Sequence, residues 1–190
     1  MYLQDYSIMI TTPYEIFSIF VVIAAVAYIF SGLVPKKDPF SIKPGWEELK
    51  LAAMVAAPAV LVHEMFHKFT AMSFGIPAFF QAWWFGLGLA AVLKAVGSPF
   101  MIIAPGYVLM PAIATPLQST LIAFAGPFAN LLMWLGSAWL LNRKKAFRRK
   151  TSIFLMISKQ INKYLFIFNL IPIPGFDGFH VVSGIWHLIA

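Results

Sequence analysis

Apolar residues run through this chain in blocks too long for a soluble core, with short polar clusters between them. The first block extends from about Tyr14 to Val34, with Pro13 at its start and Pro35 beyond its end. About 20 apolar residues suffice for a helix to cross bilayer hydrocarbon, so this block predicts a first span. Lys36, Lys37, Lys43 and Lys50 follow, mixed with Asp38, Glu47 and Glu48, as a polar connector. A second span covers about Leu49 to Phe74, and Gly75 and Pro77 end it. From Ile76 to Thr115 the chain stays apolar, but Gly86, Gly88, Gly97, Pro99, Pro105, Gly106, Pro111 and Pro116 predict short pieces instead of one helix. Non-helical backbone at membrane depth must be buried in protein or line a wet cavity. The aromatic run Phe79 to Phe85 suits an interfacial strand or hairpin whose edge could pair with an extended peptide. A lipid-facing aromatic belt fits the same residues.

The third span, about Leu117 to Leu141, carries Gly126-Pro127-Phe128-Ala129-Asn130 and leads into the basic run Arg143 to Lys150. Thr151 to Lys163 mixes apolar and basic residues and suits a partly interfacial segment. The last span reads as broken. A half-helix reaches Leu170, Ile171-Pro172-Ile173-Pro174-Gly175 interrupts it, and a second half-helix runs from about Phe179 to Ala190. Two prolines one residue apart do not fit inside a regular helix. The predicted fold class is an all-α polytopic membrane protein of about four transmembrane spans. Its last span is broken, and a membrane-embedded irregular or β-hairpin segment follows the second.

Composition agrees with that pattern. The 190 residues are 61% hydrophobic and 11% charged, against about 25% charged for soluble domains. The net charge of +7 would suit nucleic acid, but the basic residues cluster beside apolar runs. There they mark a membrane face rich in anionic lipid, and no nucleic-acid partner is expected. Cysteine is absent, which excludes disulfides and thiolate metal sites. The N-terminus lacks a basic leader region and a small-residue cleavage site, so the first span is expected to be retained. Four spans place both basic segments on one side, and the positive-inside rule puts that side in the cytoplasm.

Chemistry enters through the scarce charges. After Glu48 the chain has two acidic residues, Glu64 and Asp177, both in apolar surroundings. A carboxylate in hydrocarbon costs roughly 2.5–3.5 kcal/mol even on the lenient insertion scale, so each needs a compensating role. Glu64 lies within His63-Glu64-Met65-Phe66-His67. Histidines at i and i+4 share one helix face, offset by about 40°. Both imidazoles can therefore reach one zinc ion while Glu64 addresses a water as general base. A catalytic zinc takes three protein ligands and leaves a position open. Asp177, at the break of the last span, is the candidate third ligand. His180, about one turn further on, competes with it or supports it from behind, and His187 reads as interfacial. Asn130 and Asn169 are polar groups in apolar stretches. Each could donate to a substrate carbonyl or instead bond between helices.

The His63 to His67 motif, Gly126 to Asn130, and Asn169 to Gly178 together resemble the site-2 protease family of intramembrane zinc metalloproteases. The resemblance spans roughly Leu49 to Ile189. It implies one zinc held by His63, His67 and Asp177, with Glu64 as catalytic base. It also implies that Asn169 contacts the substrate backbone, that Asn130 belongs to the family core, and that the segment after the His motif is a hairpin receiving a substrate strand. Residues 1–48 then form an N-terminal span and basic connector, and 49–190 a catalytic membrane core. Phe176 stands where the family usually has Leu. Many members add a PDZ or nucleotide-sensing domain, whereas here only the Arg143–Lys150 loop occupies the place where a PDZ domain might be inserted, which leaves room for an unidentified gating partner. The family places its hairpin toward the cytoplasm, opposite to the charge rule. The function expected is hydrolysis of peptide bonds inside transmembrane segments of other proteins, in a bilayer such as the cell membrane. A metal or proton transporter, or an inactive scaffold for transmembrane helices, is the alternative.

Overall fold

A computed structural model of the protein describes residues 11–34, 44–98, 105–110, 114–143 and 147–190. Lys36, Lys37 and Lys43 of the connector, Pro99, Pro111, and residues 144–146 of the basic run lie outside them. The described elements are helix α1 (Pro13–Phe30) with a short 3-10 turn (Ser31–Leu33), helix α2 (Trp46–Ser73), strand β1 (Phe79–Ala82), helix α3 (Trp84–Ala95), strand β2 (Gly106–Leu109), and helices α4 (Pro116–Leu141), α5 (Arg149–Asn169) and α6 (Asp177–Ile189). The protein is a polytopic helical membrane protein carrying one small sheet.

Among the described residues, α1, α2 and α4 are long and apolar enough to cross a membrane. Both α1 and α4 begin with the same device. A threonine caps the first turn, proline follows it, and the side chain three positions on returns the bond: Thr12 with Glu15, Thr115 with Gln118. This satisfies amides that hydrocarbon could not. Val22, Val26 and Ile29 of α1 pack with Val55, Ala56, Ala59 and Val60 of α2 in one buried cluster. The alanines let the two backbones approach closely, as membrane helix pairs favour.

Three expectations change. The glycines at 86 and 88 do not divide the chain, because α3 runs through both. Burying Leu87 and Ala90 in the α1–α2 cluster outweighs the roughly 1 kcal/mol that each helical glycine costs. The aromatic run does form a strand, but its partner is not the next segment. β1 pairs antiparallel with β2, Phe79 opposite Leu109 and Ala82 opposite Gly106, with α3 inserted between them. Residues 151–163 belong to the single 21-residue helix α5, which packs on α4. The break itself stands as read: α5 ends at Asn169, Gly175 takes the left-handed φ of 98°, and α6 restarts at Asp177.

At 28 residues, α2 is about 42 Å long, so its ends lie on opposite sides of the bilayer. Lys50 of its first turns and Lys150 of α5 line one cleft of about 520 Å³, so the two basic segments share an end. The C-terminal end of α2 packs with Val108 of β2 and Ile122 of α4, at the other end. Because the chain has no native cysteine, single cysteines report this directly. Arg148→Cys and Ser73→Cys should react with an impermeant maleimide from opposite sides of a sealed membrane, and labelling from one side would contradict the arrangement.

Candidate metal centre

Helix α2 presents His63, Glu64 and His67 on its buried face, and the restart of α6 brings Asp177 against them. His63 Nε2 lies 3.0 Å from Asp177 Oδ2, His67 Nε2 lies 3.4 Å from Asp177 Oδ1, and the two Nε2 atoms are 3.1 Å apart. Ligands on a tetrahedral zinc at 2.0–2.1 Å stand about 3.3 Å from one another, close to these spacings. Among the described residues this is the group whose ligand atoms converge, within 4.8 Å. His180 is exposed on the wall of the same cavity and outside that group, and His187 is exposed near the end of α6.

The hydrogen bonds behind the imidazoles decide what the group can hold. His67 Nδ1 donates to the Ile122 carbonyl at 2.6 Å. His63 Nδ1 faces Asn130 Oδ1 at 2.6 Å. Both donors of the Asn130 amide are already used, toward the Ala59 carbonyl and Asn162 Oδ1, each at 2.9 Å. Asn162 is oriented in turn because its amide donates to the Ser158 carbonyl at 2.8 Å. Each Nδ1 is therefore held as a donor, which leaves each Nε2 as the nitrogen that can coordinate a cation beside the carboxylate. Two ring nitrogens and a carboxylate converging on one point suit a cation, and the nitrogen-plus-carboxylate set suits zinc.

Two glycines make the space. A Cβ on Gly126 of α4 would fall on His67 Nε2 and 2.7 Å from His63 Nε2. A Cβ on Gly178 would strike the Leu170 carbonyl and lie 2.8 Å from the Ile171 oxygen, preventing α6 from tucking under the end of α5. A cavity of about 540 Å³ opens in front of the group. Glu64 lines it, as do Asn169 at the end of α5 and Gly106 and Val108 of β2.

Asn130 requires a correction. It is 0% exposed with its amide fully engaged, so it cannot donate to a substrate; its place is behind His63. Asn162 was missed because residues 151–163 looked interfacial. The spacing of Leu155, Ser158 and Asn162, all buried, is a helical face that could have revealed it. Glu15 and Lys68 were also missed. They form a buried ion pair between α1 and α2, detectable only as single charges inside apolar blocks.

Long apolar helices holding a His-Glu-x-x-His helix in their interior describe a membrane-integral protein of the metallopeptidase type. Comparison with known proteins agrees. The profile of peptidase family M50 matches residues 51–146. The chain is 31% identical over 183 residues to the "Putative zinc metalloprotease MJ0611" of Methanocaldococcus jannaschii, covering 92% of this chain and 88% of that one. It is 35% identical over 72 residues to the "Putative zinc metalloprotease YwhC" of Bacillus subtilis, covering 38% of this chain and 32% of that one. No solved structure matches. The chain belongs to peptidase family M50, the site-2 protease family, and is an integral multi-pass membrane protein.

Alanine normally stabilises a helix relative to glycine by about 1 kcal/mol. Gly126→Ala is nonetheless expected to weaken zinc binding about tenfold or more, a cost of about 1.4 kcal/mol, in a chelator-competition titration. Wild-type affinity in that variant would show that the metal does not sit between the imidazoles.

Proposed function

We propose that this protein is a zinc-dependent intramembrane endopeptidase that hydrolyses peptide bonds within transmembrane segments of other membrane proteins. The observation that carries the reading is the convergence of His63, His67 and Asp177 beside Glu64 in a cavity walled by a sheet edge. The relatives' names, both zinc metalloproteases, support the metal. All the residues proposed for the chemistry fall within 49–190, the proposed catalytic core, to which 1–48 adds a span and connector.

His63, His67 and Asp177 would hold one zinc per chain. Bound there, zinc would supply Lewis acidity, lowering the pKa of water toward about 7 and polarising the scissile carbonyl. Glu64 takes a proton from the attacking water and passes it to the leaving amine, so that one peptide bond and one water become a carboxylate and an amine. Asn169, half-buried on the cavity wall, is placed to hold the substrate backbone.

The substrate must be extended, because a helix hides its carbonyls in its own hydrogen bonds. Strand β2 offers a partner. The Phe80 amide points away from β2, into α1, whereas Trp83 donates back to the Pro105 carbonyl at 3.1 Å. The alternation of an antiparallel ladder then turns the main-chain groups of Gly106 and Val108 outward, on the cavity side. An unwound transmembrane segment could pair there.

Glu64→Gln should retain zinc and lose cleavage of a model membrane substrate by about 10²–10⁴-fold. Cleavage at the wild-type rate would remove Glu64 as the base. Asp177→Ala should lower bound zinc sharply, and unchanged metal content would remove Asp177 from the ligand set.

A further inference from the structure

We propose that the buried pair Glu15–Lys68 is a positioning device for the substrate strand, holding the β1–β2 sheet at a set height beside the metal centre and closing the outer edge of β1. The proposal rests on the endopeptidase reading above. Glu15 is 1% exposed and Lys68 2%. One carboxylate joins three elements. Its Oε1 accepts from Lys68 Nζ at 2.5 Å and from the Phe80 amide at 2.7 Å, and its Oε2 accepts from the Thr12 amide at 2.8 Å.

The placement argues for more than stability. Desolvating two charges commonly costs as much as their attraction returns, and apolar residues of similar volume would hold α1 to α2 as well. An apolar pair, however, could not accept a strand amide. Lys68 follows His67 directly, about 100° further round α2, so one helical turn points an imidazole at the cavity and an ammonium at the sheet. From Glu15 the contact continues to the cavity wall. Phe80 is fully buried, and its ring lies so close to Gly106 of β2 that a Cβ there would be 2.7 Å from it. Gly106 in turn lines the cavity. Because Glu15 occupies the outward amide of Phe80 on β1, while Gly106 and Val108 of β2 line the cavity, the edge offered to a substrate is that of β2.

The test uses the full-length protein in detergent or liposomes. Glu15→Asp keeps the charge but withdraws the carboxylate by one methylene. It should leave zinc affinity at the wild-type value and kcat within about twofold, raise KM about tenfold on a model transmembrane substrate, and speed hydrogen exchange at the Phe80 amide. Lys68→Arg, which keeps a cationic donor, should stay near the wild-type KM. The swapped double variant Glu15→Lys/Lys68→Glu restores attraction but replaces the acceptor with an ammonium, so it should not recover KM. If Glu15→Asp does not fold, Phe80→Leu supplies the same test by removing the ring that supports Gly106, with the same rise in KM expected. An unchanged KM, a rescue by the swapped pair, or a loss of zinc affinity in step with activity would each overturn the proposal. Absence of zinc-dependent cleavage by the unaltered protein would overturn the endopeptidase reading instead, and the two failures are thereby separate.

Discussion

Two hydrogen bonds behind the imidazoles govern the rest of this structure. The Ile122 carbonyl and Asn130 Oδ1 each take an Nδ1 proton, leaving both Nε2 atoms turned to one point where they can coordinate a cation. Neither acceptor belongs to the helix that carries the histidines. Both come from α4, and the Asn130 amide is itself oriented by Ala59 and by Asn162 on α5. The tautomers therefore depend on three helices meeting in the correct rotation. Gly126 allows that meeting, because any side chain at that position would occupy the centre. Outer partners of this kind commonly change metal affinity 10–100-fold when lost, so the packing of α4 and α5 belongs to the site as much as its ligands do.

The bilayer imposes the second constraint. The proposed hydrolysis would need water, a charged base and an extended peptide, and each is costly in hydrocarbon. The fold concentrates these demands in one place. The capped starts of α1 and α4, the sheet, the break before α6 and the cavity all lie toward the end of the bundle away from the basic segments. Glu15–Lys68 follows the same logic. A charge pair inside apolar surroundings is retained where it terminates a helix and satisfies a strand amide together.

Much of this was legible in the sequence for physical reasons. A hydrophobic block either is or is not long enough to cross the membrane, so the ends of α1, α2 and α4 fell within a few residues of expectation. The i, i+4 histidines and the proline pair before Asp177 have geometry that local rules determine. What stayed hidden depends on which helix faces which. Asn130 looked like a donor to substrate because nothing local says that Ala59 and Asn162 take its protons. Glu15 could not be singled out because its partners Lys68 and Phe80 lie 53 and 65 positions away. The glycines of α3 looked like breaks because the burial that overrides them is tertiary. Family resemblance narrowed the chemistry but said nothing of the Glu15 node or of Asn162.

The central claim is that two imidazoles and one carboxylate, preset by bonds from α4, hold zinc at membrane depth. Metal analysis with X-ray absorption at the zinc edge, on protein purified without added metal, tests it most directly. The account predicts one zinc per chain with two imidazole nitrogens at about 2.0–2.1 Å and oxygen in the remaining positions. A protein without zinc, or a zinc with three or more imidazoles, would contradict it.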